Sequence, residues 1–215
     1  MPPIIEVTDE VLKGLDQLKI SYTRAARQNT FPRLKQDFVY IPSAKLHFAK
    51  QKILLEKDWH ETHQTLGEEG LAMPTPSEFS QTLKYLRDNP NPENTELYNE
   101  IIQIRNPWRA IWIDAFFEKR KDGLYILTEN ETKAEMLDKN TLIKDERISL
   151  DSWLDNPTSQ GLPRKDVARG NFYFWSPREN SVAGFGTVGD DAYLYCGRDP
   201  SVRYSGLGVH AVRRE

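Results

Sequence analysis

The chain has 215 residues, of which 38% are hydrophobic, and its 29 basic and 32 acidic side chains give a net charge of −3. This length suits one large domain or two small ones with a real core. The balanced charge argues against a nucleic-acid partner held by a basic surface. The single cysteine excludes an intramolecular disulfide framework. No apolar run is long enough for a membrane span, and no signal peptide is visible, so we expect a cytoplasmic protein or one exported by an unrecognised route.

The hydrophobic pattern predicts alternating helices and strands in one α+β domain, residues 1–215, that changes character after Gly170. In chain order the predicted elements are helix 8–27, strand 38–41, helix 54–66, a helix that opens at Thr75-Pro76, helix 97–104, strand 108–117, a hairpin through Asp122-Gly123 into strand 124–127, and strand 171–175. For residues 129–169 we predict loops and short elements. We expect the tryptophans Trp59, Trp108, Trp112 and Trp153 in the core.

Catalytic signatures are sparse. His60 and His63 are three residues apart on a predicted helix, and with His47 they could supply three nitrogen ligands to a catalytic metal. A packed or solvated helix face explains the same spacing more often. Cys196 is expected to be a buried structural thiol, because its alternating neighbours Leu194 and Pro200 are apolar. A small metal-dependent or oxidative enzyme using the three histidines therefore stays open as the alternative function.

The run Asn171-Phe172-Tyr173-Phe174-Trp175 places large side chains on both faces of a strand. One face should be core, and the other is a second buried layer or an exposed aromatic binding surface. Residues 192–200 show a similar division. One parity reads Ala, Leu, Cys, Arg, Pro and suits the interior, whereas the other reads Tyr, Tyr, Gly, Asp, the mixture found in antibody paratopes.

Residues 180–209 contain no Lys, Glu, Gln, Met or Trp. Chance would produce such a window roughly once in a thousand draws. These five amino acids are the ones that cannot be reached when both adenines of an AAC asparagine codon are randomised, whereas Tyr, Gly, Asp, Val, Arg, Ser and Phe can be reached.

The segments V-A-G-F at 182–185, A-x-L-x-C-x-R-x-P at 192–200 and S-G-L-G-V at 205–209 resemble the C-terminal variable region of diversity-generating retroelement variable proteins, most of all the archaeal, Nanoarchaeota-related group. In that family a reverse transcriptase rewrites adenine positions at the 3′ end of the gene. The resemblance implies a C-type lectin-like, formylglycine-enzyme-like fold with two or three helices, small antiparallel sheets and long loops. It also implies that residues 170–215 form the variable region.

The resemblance assigns two classes of residue in this region. The variable, ligand-binding positions would be Phe172, Tyr173, Phe174, Gly186, Val188, Asp190, Asp191, Tyr193, Tyr195, Gly197, Asp199, Arg203 and Tyr204. The fixed scaffold would comprise Trp175, Val182, Ala183, Phe185, Leu194, Cys196, Arg198 and Leu207. Because Arg198 lies in the inward set, we expect its guanidinium to be paired or hydrogen-bonded.

The function expected from this resemblance is non-enzymatic binding of a protein or glycan ligand on another cell or a virus, without a cofactor. Tyr193, Tyr195 and the aromatic run 172–174 would anchor that ligand, because large rings dominate binding energies.

Overall fold

A computed structural model describes residues 37–103, 109–138, 140–188 and 191–215, with Val188 and Asp191 described by their backbone alone. The predicted helix 8–27 and Trp108 lie outside the described residues. The expectation of one domain over 1–215 stays a prediction for the same reason.

The described residues form an α+β structure, as predicted. The helices are α1 (Trp59–Glu68), α2 (Pro76–Asp88), α3 (Pro92–Ile102) and α4 (Leu150–Asp155). The strands are β1 (Phe38–Ile41), β2 (Leu46–Ala49), β3 (Arg109–Lys119), β4 (Leu124–Thr128), β5 (Lys133–Met136), β6 (Glu146–Ile148), β7 (Phe172–Trp175), β8 (Ser181–Val188), β9 (Asp191–Arg198), β10 (Leu207–Gly208) and β11 (Val212–Arg214). The described part of the chain thus holds four helices, against the two or three expected.

Local capping chemistry sets the helix starts. Thr75 and Glu78 form a capping box at α2, each side chain accepting a hydrogen bond from the other's backbone N–H, and Pro76 occupies the first turn. This is the predicted start. The predicted start of α1 at residue 54 is wrong, because Leu54 and Glu56 have positive φ angles that interrupt a helix. The helix begins only after Asp58, which caps it.

Two sheets organise the strands. A small sheet has the order β1-β2-β11, and an eight-stranded sheet has the order β5-β4-β3-β8-β9-β7-β6, with β10 added beside β3. The predicted β3–β4 hairpin is confirmed. The large sheet is mixed rather than antiparallel throughout, because β7 runs parallel to β9 and β10 runs parallel to β3.

The larger sheet buries residues on both faces. Ile111 and Phe185 belong to a core that also contains Phe79 of α2 and Trp153 of α4. The opposite face contributes to a second core, whose members are Ala49, Trp59, Leu66, Leu71, Met73, Ala110, Trp112, Val182, Leu207, Val209 and Ala211. The expected burial of Trp59, Trp112 and Trp153 is confirmed. Within the described ranges, no helix has the length and apolar character needed to cross a bilayer.

The end of the chain lies among its earlier strands. Val212 of β11 pairs with Phe48 of β2, and Leu207 of β10 pairs with Ala110 of β3. The backbone N–H groups of Ile53 and Val209 each donate to the other's carbonyl at 2.9 Å. The last residues therefore complete both sheets.

Candidate ligand-binding surface

Strands β7 and β9 place alternate residues on opposite faces of the large sheet. They run parallel, with Phe174 opposite Leu194 and Trp175 opposite Tyr195. Phe174 and Leu194 are fully buried, whereas Trp175 is 37% exposed and Tyr195 is half-buried. The predicted alternation is confirmed for residues 192–196, and it divides these strands into an inward face and an outward face. The predicted inward position of Arg198 is wrong, because the β8–β9 register shifts between Val182 and Gly184 and the Arg198 guanidinium lies beside the outward rings of Tyr193 and Tyr195.

Three rings on the outward face contact one another, and we call Tyr173, Trp175 and Tyr195 the aromatic cluster. The ring centroids of Tyr173 and Trp175 are 4.5 Å apart, and those of Trp175 and Tyr195 are 5.6 Å apart. Arg147 of β6 places its guanidinium carbon 5.7 Å from the Tyr173 ring centroid. Such rings offer large, rigid, amphipathic contact area at low entropic cost, which suits ligand binding.

A polar group borders the aromatic cluster where the chain leaves β7. Asp145 Oδ1 accepts hydrogen bonds from the backbone N–H of Ser176 at 2.7 Å and from its hydroxyl at 2.6 Å. Asp145 Oδ2 accepts from Arg178 Nη2 at 3.4 Å. These bonds fix the residues next to Trp175. An apolar centre with a polar rim is the usual anatomy of a protein interface.

Arg198 connects the aromatic cluster to the second core. Its side chain is almost completely buried, with Cζ 5.8 Å from the Trp112 ring centroid and 5.6 Å from that of Tyr195. Its Nη2 is 3.5 Å from the Tyr193 hydroxyl, which accepts the hydrogen bond. The prediction that this guanidinium has partners is confirmed. A cation between two rings gains cation–π energy that offsets its desolvation.

Gly184 makes room for Arg198. It lies opposite Tyr195 in the β8–β9 pair, and a Cβ atom there would be 2.9 Å from Arg198 Nε and 3.3 Å from the carbonyl oxygen of Ile111. Because the first distance is shorter than real Cβ contacts allow, glycine is the residue that fits beside this arginine. Nothing in the local sequence indicates this pairing.

The loop after β9 is docked on the start of α1. The carbonyl of Pro200 accepts from the Trp59 backbone N–H at 3.0 Å, and Arg203 Nη2 is 2.8 Å from Asp58 Oδ2. Arg203, which was expected to face a ligand, therefore forms an ion pair with Asp58, the residue that caps α1. Asp199 is exposed, and hydrogen bonds from the backbone and hydroxyl of Ser201 lower the pKa of its carboxyl group. Its side chain shapes the turn.

The other expected variable positions differ in exposure. Tyr204 is 49% exposed, Tyr193 and Gly197 are half-buried, and Gly186 is buried. The backbones of Val188 and Asp191 pair at the end of the β8–β9 hairpin, and Asp190 lies outside the described residues. The structure thus brings Tyr173, Tyr193 and Tyr195 onto the outward face.

Two expected ligand-binding residues are corrected. Phe172 and Phe174 are 3% and 0% exposed, and Phe172 stacks on Trp153 and Phe185 at centroid distances of 5.4 and 5.5 Å. Their side chains lie in the core because strand alternation, which codon reachability ignores, points them inward.

Trp175, which was expected in the fixed scaffold, lies on the outward face and is not buried like the other scaffold residues. That its codon is not diversified stays a prediction. The remaining scaffold residues are buried as expected: Val182, Ala183, Phe185, Leu194, Cys196, Arg198 and Leu207. Burial raises the pKa of the Cys196 thiol far above its ordinary value, which keeps it protonated and unreactive.

The three histidines of the alternative metal site have separate surroundings. His47 of β2 packs against Tyr40, with ring centroids 5.1 Å apart, and His60 is exposed. His63 is buried with its Nε2 3.2 Å from Asp114 Oδ1. Among the described residues, no group of three or more His, Cys, Asp or Glu side chains is placed to hold a metal ion.

His210, the fourth histidine, is buried in the interior. Its Nδ1 is 2.9 Å from the carbonyl oxygen of Ala49, and its ring stacks on Phe48 at a centroid distance of 5.3 Å. Burial lowers the pKa of His210 to about 4, so the neutral ring donates to that carbonyl at neutral pH.

The residues around the aromatic cluster were not predicted from the sequence. Arg147 and Asp145 lie in the stretch 129–169, which has no hydrophobic period. Arg147 reaches Tyr173 because the two are directly opposite in the β6–β7 pair. Such long-range strand pairing leaves no local signal.

Comparison of the chain with models of protein families, with curated proteins and with solved structures finds no match in any of the three.

Proposed function

We propose that this protein is a non-enzymatic binding protein, of the retroelement-diversified kind, on a C-type lectin-like fold. The observation that carries the proposal is the aromatic cluster, three contacting rings on the outward face of the strands that also hold the paratope-like residues. Aromatic rings that face the core are explained by packing alone. Contacting rings on a solvent-facing side of a sheet are typical of an interaction surface.

The separation of the two faces supports this proposal. The inward residues Leu194 and Cys196 are fully buried and carry the packing energy. The outward positions Tyr193 and Tyr195 alternate with them on the same strand. Replacement of Tyr193 or Tyr195 by a smaller side chain therefore leaves the backbone hydrogen bonds and the core in place, which is what a diversified surface requires at these positions.

The proposed ligand is a protein or glycan surface. The aromatic cluster supplies apolar contact area at the centre, and Arg147, Arg178 and Asp145 supply hydrogen-bonding groups at its edge. Interfaces of this kind draw most of their energy from Tyr, Trp and Arg.

Sequencing the 3′ end of the gene across its source population tests the diversification. We expect differences confined to template adenines, in the codons of Tyr193, Tyr195 and Gly197 and not in those of Leu194 or Cys196. A neighbouring template repeat and a reverse-transcriptase gene are expected with them. An invariant 3′ end without a repeat would contradict this part of the proposal.

A binding experiment tests the surface itself. The tagged protein and a variant carrying Tyr173→Ser, Trp175→Ser and Tyr195→Ser are applied to glycan arrays and to fixed cells from the source population. We expect retention of the parent and at least tenfold weaker retention of the variant. A matched variant with Met136→Ser and Tyr40→Ser removes two other exposed apolar side chains and should bind like the parent. Equal retention of all three proteins would refute the assignment of the surface.

A further inference from the structure

Two glycines among the expected variable positions lie in contact with two tyrosines of β9. Gly186 of β8 is directly opposite Tyr193. A Cβ atom at Gly186 would be 2.8 Å from the Tyr193 hydroxyl oxygen and 2.9 Å from Cζ of the same ring. A Cβ atom at Gly197 would be 2.9 Å from Cε2 of Tyr195. Real Cβ atoms essentially never approach other atoms within 3.0 Å.

Contact, and not backbone conformation, restricts both glycines. Neither Gly186 nor Gly197 has a positive φ angle, unlike Gly70 and Gly161. Their backbones can therefore carry any L-amino acid. The closest obstacle to a side chain at either position is the tyrosine ring that already occupies the space.

A side chain at either glycine can be accommodated only if the tyrosine ring shifts or is replaced by a smaller side chain. Tyr193 reaches across from β9 to β8, and its hydroxyl also accepts from Arg198 Nη2. A side chain at Gly186 would displace that hydroxyl, and it would lie 3.1 Å from the Arg109 carbonyl oxygen, which is backbone and cannot move away. At Gly197, the new Cβ atom would also lie 3.1 Å from Arg178 Cδ.

We infer that positions 186 and 193, and likewise 197 and 195, are size-coupled pairs: a large ring at one position favours glycine at the other, because a side chain there would force the ring to shift. A side chain at position 186 is correspondingly better tolerated when position 193 carries a small residue. The shape of the outward face is then set by pairs of positions and not by each position separately.

The two size-coupled pairs determine where an aromatic ring can lie on the outward face. Directly opposite residues of antiparallel strands have Cα atoms about 5 Å apart. Exchanging the sizes within the pair 186 and 193 therefore moves the bulky group from β9 to β8 without changing the backbone. This consequence for ligand choice rests on the proposed binding function, whereas the coupling itself does not.

A double-mutant cycle on the full chain tests the coupling without a ligand. The variants are Gly186→Val, Tyr193→Ser and the combination, and the readout is the midpoint of thermal unfolding. Overpacking by Gly186→Val is expected to lower the midpoint by about 5 °C in the parent. In the Y193S background the same substitution should lower it by less than half as much. The contact with the Arg109 carbonyl is common to both backgrounds, so it contributes equally to the two shifts of the midpoint and cancels in their difference.

The matched control combines Gly186→Val with Tyr195→Ser, because Tyr195 lies opposite Gly184 and not Gly186. The full loss of about 5 °C should persist there. Gly186→Ala provides a milder substitution if the valine variant does not fold. An equal effect of the position 186 substitution in the parent and Y193S backgrounds, or no effect in the parent, would overturn the inference. The unfolding measurements involve no ligand, so their outcome does not depend on the outcome of the binding experiment.

Discussion

The inward and outward faces of β7 and β9 differ in what holds their side chains. Phe172 and Phe174 belong to a core shared with α2 and α4, whereas Tyr173, Trp175 and Tyr195 contact mainly one another and nearby arginines. The same backbone hydrogen bonds support both sets. Neighbouring residues of one strand can therefore have opposite tolerance to substitution, and a contiguous aromatic run does not predict a common role.

The largest difference between the faces is expected at adjacent residues of β7. Phe174→Ala should lower the free energy of unfolding by about 3–5 kcal/mol, because it leaves a cavity in a fully packed core. Trp175→Ala should cost only about 1 kcal/mol, because that ring is already 37% exposed. Urea unfolding of both variants measures the contrast. Similar losses would show that the outward face is a second buried layer.

The buried His210 makes the stability of the interior depend on pH. The pKa of His210 is lowered from 6.5 to about 4 in the folded protein, so between these values the unfolded chain binds a proton that the folded chain does not. Stability should therefore fall as the pH drops from about 6.5 to 4, by up to about 3 kcal/mol. Urea unfolding across this range measures the loss. His210→Asn should flatten the dependence, and an unchanged slope in that variant would exclude His210 as its source.

Two arginines that lie over rings of this region, Arg198 and Arg147, are expected to differ by an intermediate amount. Arg198→Ala should cost about 2 kcal/mol, because Arg198 is buried between Trp112 and Tyr195 and its stem is packed. Arg147→Ala, at an exposed site over Tyr173, should cost less than about 0.5 kcal/mol. Chemical denaturation compares the two. Equal costs would mean that Arg198 does not link the surface to the second core.

The smallest effect is expected on the outward face of β9. Tyr195→Ser should change the free energy of unfolding by less than about 1 kcal/mol, because this half-buried ring contacts other surface side chains. Leu194→Ala, one residue earlier and fully buried, is the matched control, with an expected loss of about 2–5 kcal/mol. A loss above about 2 kcal/mol for Tyr195→Ser would argue for a structural role.

The sequence predicted those features whose causes are local. The start of α2 was predictable because Thr75 and Glu78 form their capping box within four residues. The start of α1 has the same local cause, a capping box of Asp58 and Glu61, but the apolar residues from Leu54 onward led the hydrophobic pattern to place it too early. Those earlier residues are shaped instead by pairing of Ile53 with the distant Val209.

The candidate site divides in the same way. Alternation correctly placed Leu194 and Cys196 inside, since it depends only on strand geometry. Codon reachability wrongly placed Phe172 and Phe174 outside, because it carries no information about which face a residue occupies. Arg147 and Gly184 were missed because their partners lie on other strands.

The position of β10 and β11 beside the earliest described strands has a consequence for folding. Val212 pairs with Phe48 of β2, and Leu207 pairs with Ala110 of β3, so both sheets need residues 207–214 to be complete. Contacts between residues so distant in sequence form slowly. A chain cut before residue 207 would lack β10 and β11, and β2 and β3 would each lose one neighbouring strand.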